Sequence, residues 1–174
     1  MRTYSTDRGA DVETFVSALI FNWLIGGPDA HAKNYSLLLA SGPLVRLAPL
    51  YEIASILPYD HVDQRKIKLA MKVGGEYRLD NIGLRQWQKF ARETRVDADV
   101  LIATLISMAG QMPDLVADVR ADAQREGLEN ALIERLATAL GTRAKDCEHA
   151  LKGIYDTDHP SIEWSLTQPR ACSF

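Results

Sequence analysis

The sequence predicts a mainly α fold with one small β element set between a first helix and a helical second half. Three patterns predict it. Val12, Phe15, Val16, Leu19, Ile20, Trp23 and Leu24 recur at helical spacing and meet Gly26-Gly27. Residues 35–47 hold two short apolar runs around Ser41-Gly42-Pro43, a turn signal that makes a hairpin. From Leu79 onward the apolar residues again follow a helical period.

Element by element, residues 1–10 read as a lead-in and Asp11 as the N-cap of the first helix. Gly27-Pro28-Asp29 forces a turn. The hairpin strands are expected over 35–39 and 44–47, and residues 51–56 as a short helical or irregular piece. Residues 66–73 alternate charged and apolar side chains before Gly74-Gly75, the pattern of a half-buried strand and its turn. Asn81 is placed to cap a helix containing Leu84, Trp87, Phe90 and Ala91, and Asp97 another containing Val100, Leu101, Leu105 and Met108. Pro113 suits the first turn of a third, with Leu115, Val116 and Val119. A fourth spans 128–140, ended by Gly141, and residues 143–152 extend it or stand as a separate short helix. The expected organisation is one lobe over 1–152 and a tail over 153–174, docked by Trp164.

Bulk composition narrows the function classes. The 174 residues are 47% hydrophobic and 25% charged, ordinary globular values, and suit one domain or one lobe. A net charge of −3 and a pI near 5.8 argue against a protein that grips nucleic acid through its phosphates, so no direct nucleic-acid contact is expected. Arg65, Lys66, Lys68 and Lys72 are locally basic, but in a strand half of them would face away from the others. Cys147 and Cys172 form no C-x-x-C pair, which suits free thiols in a reducing cytoplasm. No apolar run reaches 18 residues and no signal-peptide pattern follows Met1, so a cytoplasmic protein without membrane contact is expected.

Chemistry concentrates in the turn after the first helix. Asp29 and Asn34 stand five apart with asparagine last, the D-x-x-x-x-N spacing of a kinase catalytic loop. The spacing has a physical reason. A carboxylate must reach the incoming hydroxyl while an amide oxygen, one loop further on, reaches a magnesium ion on the nucleotide phosphates. On spacing alone an ordinary turn Asp and a strand-edge Asn are the commoner explanation. Asp29, His31 and Glu52 also have the ligand types of a metal-dependent hydrolase, although D-x-H with a distant Glu is a weak pattern.

The surrounding residues decide between these. Trp23-Leu-Ile-Gly-Gly-Pro-Asp29-Ala-His31-Ala-Lys33-Asn34-Tyr-Ser36 resembles the W-L-I-G-x-x-D-x-H-x-K-N-x-S motif of HipA-type serine/threonine kinases. Arg46-Leu-Ala-Pro49-Leu-Tyr51-Glu52-Ile-Ala-Ser55 resembles that family's R-L-x-P-x-Y-D-x-x-S, and Lys68-Leu-Ala-Met71 its K-L-A-M segment. The resemblance implies a kinase-like C-lobe with its β-hairpin next to the catalytic loop. It implies Asp29 as catalytic base or hydroxyl positioner, with Lys33 and His31 as further catalytic candidates, Lys33 as a charge near the transferring group and His31 as a brace of the loop. Asn34 and Glu52 become the magnesium ligands that hold ATP.

Two departures qualify the implication. Glu52 stands where the family has Asp, one methylene longer, and magnesium tolerates little change in ligand geometry. No G-x-G-x-x-G or G-x-x-x-x-G-K-[ST] occurs, and helix 1 begins too early for a nucleotide lobe to precede it within these residues. The expectation is a lobe that supplies catalytic-loop and magnesium-binding residues and is inactive alone. By resemblance its partners are a HipB-like DNA-binding antitoxin or a separate N-lobe, and a protein substrate, a tRNA synthetase being the family's class of target. The competing expectation is a non-catalytic protein-interaction remnant of a HipA-like toxin.

Overall fold

A computed structural model describes residues 3–158, and the proposed docking residue Trp164 lies outside them. Among the described residues the chain is mainly α: four helices, two two-stranded antiparallel sheets and three short 3-10 turns.

Helix α1 spans Arg8–Leu24, earlier than expected, because Asp7 and not Asp11 is its N-cap; the Asp7 carboxylate accepts from Ala10 N at 3.2 Å. Its apolar stripe enters the core at Ile20, Trp23 and Leu24. After a loop and a 3-10 turn at Ala32–Asn34, strands β1 (Leu37–Leu39) and β2 (Val45–Leu47) pair in register Leu37 to Leu47. The hairpin lies next to the loop, as the pattern predicted. Residues 51–56 take the irregular alternative.

A second hairpin joins β3 (Lys68–Val73) to β4 (Glu76–Arg78). Ile67, Leu69 and Val73 are buried, whereas Lys68 and Lys72 share the exposed face. The turn needs glycine at position 74. Its φ is +54°, and a Cβ there would stand 2.2 Å from the Gln86 carbonyl oxygen. Helix α2 (Leu84–Thr94) starts at Gly83, whose N–H the Gln86 side chain accepts at 3.1 Å; Asn81 instead donates to Glu76. Trp87 is fully buried, with Trp23 and Phe90 edge-on to it at 5.7 Å each.

The second half closes the expected break at Pro113, and of the two readings of residues 143–152 it takes the extension. Helix α3 (Ala98–Arg125) starts at Asp97 as predicted and runs straight through Pro113. Helix α4 (Ala131–Asp158) passes through Gly141, the extension over 143–152 that the sequence allows, and continues through Gly153. Packing overrides propensity in both. Leu105, Ala109 and Met112 before Pro113 and partly buried Val116 after it belong to one core face, and Ala144 and Leu151 continue the face of α4 past Gly141. Helix α3 is long and apolar enough to cross a bilayer by length and composition alone, with an 18-residue window of mean hydropathy 1.5; in this fold its Leu101, Leu105, Ala109 and Met112 are buried where it packs against α2 and α4.

Candidate functional site

The loop that carries Asp29 is built by satisfying backbone groups. At the end of α1 the Ile25 N–H donates to Phe21 O at 2.9 Å and the Gly27 N–H to Asn22 O at 2.8 Å. Ser55 Oγ donates to Ile25 O at 2.6 Å and Ile56 N to Gly26 O at 3.2 Å, so the irregular segment after β2 closes the back of the turn. Asn22 is buried and donates to Ala18 O at 2.8 Å. Gly27 sits against it: a Cβ there would lie 2.6 Å from Asn22 Oδ1 and 3.1 Å from Ala54 O.

Within the loop the Asp29 carbonyl is the hub. It accepts from His31 N at 2.8 Å and from Asn34 Nδ2 at 2.8 Å. His31 Nε2 reaches Asp29 Oδ1 at 3.0 Å, with the Asp29 side chain 70% exposed and His31 31%. The imidazole therefore fixes one carboxylate oxygen and leaves the exposed carboxyl available to a partner from solvent. His31 Nδ1 is buried without a hydrogen-bond partner, which fits the tautomer carrying its proton on Nε2, since a buried N–H there would be an orphaned donor.

Asn34 follows the same logic. Its amide nitrogen is committed to Asp29 O, so the amide oxygen is the end left for a cation. Asn34 and Glu52 line one small concavity with Asn22, Tyr35 and Tyr51. Burial pushes the Tyr35 hydroxyl up, partly offset by a hydrogen bond with Asn22. Glu52 is exposed and adopts φ +55°, a left-handed conformation that non-glycine residues rarely take and that often marks functional positions. Two hard oxygen donors fit magnesium, which keeps waters and phosphate oxygens for its remaining positions. Asp29, His31 and Glu52 do not form a three-ligand metal set, and among the described residues no three His, Cys, Asp or Glu side chains do. Lys33 points its side chain into solvent while its carbonyl accepts from Tyr51 at 3.2 Å.

The sequence reading missed three supports. Asp11, 2% exposed, accepts from Ser5 Oγ at 2.6 Å, Leu47 N at 2.8 Å and Arg46 Nε at 3.0 Å, tying β2 to α1. Burial by itself would raise its carboxyl; the hydrogen bonds from Ser5, Leu47 and Arg46, with the Arg46 charge, outweigh that and hold it below the ordinary carboxylate value. Tyr51 ties Lys33 O and lies 3.4 Å from Ser36 Oγ. Arg143 of α4 reaches the last carbonyls of α1. Asp11 and Asn22 did carry a signal: both interrupt the apolar stripe of α1, and a polar residue on a buried stripe has a partner.

Comparison with known proteins bears on the family and the fold. A family model described as the HipA-like C-terminal domain matches residues 1–125. The inferred kinase Y4mE of Sinorhizobium fredii is 31% identical over 146 residues, 83% of this chain and 34% of that protein. The serine/threonine-protein kinase toxin HipA of Shewanella oneidensis is 30% identical over 100 residues, 58% of this chain and 22% of that protein. A solved Shewanella oneidensis complex of HipA, HipB and operator DNA contains a chain that superposes with TM-score 0.74 at 21% identity, over 88% of this chain and 35% of that one. The chain thus spans about a third or less of the length of these relatives.

Proposed function

We infer that this chain, which belongs to the HipA-like C-terminal domain family, supplies the catalytic-loop wall of a protein serine/threonine kinase site. The observation that carries the reading is the Asp29 hub, where one carbonyl binds both the His31 N–H and the Asn34 amide, so that candidate base and candidate metal ligand are set in one rigid unit.

In this reading a substrate serine or threonine hydroxyl approaches the exposed Asp29 carboxylate, which accepts its proton as the oxygen attacks the terminal phosphorus of ATP; the bond from that phosphorus to the bridging oxygen breaks and ADP leaves. His31 keeps the carboxylate turned outward through the 3.0 Å contact at Oδ1. Asn34 and Glu52 would hold magnesium, which when bound neutralises charge on the nucleotide phosphates. Lys33 is free to swing toward the same charge, where a cation stabilises the transition state. In this reading the left-handed φ of Glu52 sets where its longer side chain starts from.

The experiment is phosphate transfer from labelled ATP to a protein acceptor by the polypeptide that contains this chain. Wild type should transfer label in a magnesium-dependent way and Asp29→Ala should not. Equal transfer by both would sink the reading.

A second reading draws on the first hairpin, where Leu38, Leu39 and Leu44 are 53%, 79% and 54% exposed beside the site. A surface of that kind suits protein binding, and a HipB-like antitoxin is the partner the HipA–HipB–DNA neighbour suggests. Binding retained with no phosphate transfer by wild type would favour it.

A further inference from the structure

The last turn of α1 has a defect that the helix's own backbone does not repair. In an α-helix the carbonyl of Leu24 would accept from the N–H four residues on, but position 28 is proline and has none. The Trp23 carbonyl loses its regular donor as well, because the Gly27 N–H turns to Asn22 O; only the Gly26 N–H reaches it, at 3.3 Å. Both residues are buried, Leu24 completely.

Arg143 fills the gap from α4, 119 residues along the chain from Leu24. Its Nε donates to Leu24 O at 3.1 Å and its Nη2 to Trp23 O at 3.1 Å. The guanidinium also lies over the Trp23 ring, 5.6 Å from its centroid, and Asp80 stands 3.9 Å from Nη1. The side chain is only 17% exposed. A cation at a helix C-terminus also meets the negative end of the helix dipole. The planar fork suits two adjacent carbonyls, which a single ammonium cannot hold in the same way.

We propose that Arg143 is a positioning residue for the catalytic loop: it fixes the end of α1, and through the Gly26-Gly27 turn the placement of Asp29 and Asn34. It does so from a helix that lies beyond residues 1–125, the part matched by the family model. The effect on rate rests on the kinase reading above, whereas the effect on the loop does not.

The test is hydrogen–deuterium exchange read by mass spectrometry, with phosphate transfer measured on the same samples. Arg143→Leu should raise exchange over residues 22–34 by about tenfold or more and leave α2 and the β3–β4 hairpin unchanged. Arg143→Lys should fall between wild type and Arg143→Leu, and keeps the test decisive if the leucine variant does not fold. Arg135→Leu removes an exposed α4 cation paired with Asp60 and should change neither region. In transfer assays Arg143→Leu should lower kcat by about ten- to a hundredfold with KM for ATP within about twofold, as a displaced loop demands. Exchange over 22–34 that is unchanged, or that rises equally in α2, would overturn the proposal. If Asp29→Ala does not reduce transfer, the kinase reading fails, and the exchange data still decide whether Arg143 holds the loop.

Discussion

Asn34 and Glu52 reach the same concavity from two segments that are held in different ways. From Phe21 to Gly26 every backbone carbonyl has a donor: Ile25 N, Gly27 N, Gly26 N with Arg143, Arg143 again, Ser55 Oγ and Ile56 N in turn. The Asp29 carbonyl has two. The arm over residues 49–54 is irregular and exposed, tied through the Tyr51 hydroxyl, and at Glu52 it departs into a left-handed φ. The loop is therefore preorganised and the arm adjustable. Groups that must meet a transition state gain from the first arrangement, and a ligand that must follow a hydrated ion tolerates the second.

The largest effect should come from the candidate base on the preorganised loop. Asp29→Ala is expected to lower phosphate transfer by about a hundred- to ten-thousandfold, the usual weight of a general base, without measurable loss of stability, since the side chain is 70% exposed. Urea unfolding beside the transfer assay checks both halves. A comparable loss of stability would mean that Asp29 is structural and would erase the contrast between loop and arm.

Next comes the scaffold under the loop. Asp11→Ala leaves the Leu47 N–H and the Ser5 hydroxyl without their buried acceptor and should cost about 2–4 kcal/mol in urea unfolding at neutral pH. The pH dependence has a definite sign. The Asp11 carboxyl is held below its ordinary value of 3.8 in the folded chain, so its contribution is complete above that value and is lost as the pH falls through the folded value. The deficit of the variant should accordingly be constant from neutral pH to about 4 and shrink at lower pH. A deficit that grows on acidification would contradict the assignment.

These two carboxylates also show what the sequence made legible. The α1 stripe, the turn at Gly27-Pro28-Asp29, the first hairpin and the four-residue gap between Asp29 and Asn34 are local patterns, and each is where the pattern put it. Asp11 was assigned to a cap because a short acid before an apolar run has that local meaning; its burial depends on Ser5, Arg46 and Leu47, which reach it only once β2 returns to α1. Pro113 and Gly141 carry the local signal of a break, with an extension past Gly141 left open, and long-range packing of α3 on α4 keeps both helices whole. Arg143 gave no local signal beyond its place one turn before Cys147 and two before Leu151 on the packed face of α4. The loop was legible and its remote brace was not, because the donor and the carbonyls it serves are joined only by the fold.

A smaller effect is expected where loop and arm share a duty. Asn34→Ala removes one oxygen donor and also the bond to Asp29 O, so phosphate transfer should fall by about ten- to a hundredfold and the magnesium concentration for half-maximal rate should rise. If the rate falls while the magnesium dependence does not move, the amide serves only to hold the loop.

The smallest effect tests the arm alone. A non-glycine residue in the left-handed region carries about 1–2 kcal/mol of steric cost. Glycine removes that cost but adds about 0.5–1 kcal/mol of chain entropy to be lost on folding. Glu52→Gly should therefore stabilise the chain by about 0.5–1 kcal/mol, the difference between the two. The same change deletes the carboxylate, so magnesium should bind more weakly and transfer should slow. Opposite signs for stability and activity are what a strained ligand position requires, because the conformation is then kept for the ion and not for the fold. A variant that loses stability would show that Glu52 makes folded-state contacts worth more than its strain, and one that gains stability with unchanged magnesium dependence would remove Glu52 from the metal site and leave Asn34 as the sole protein ligand on this wall.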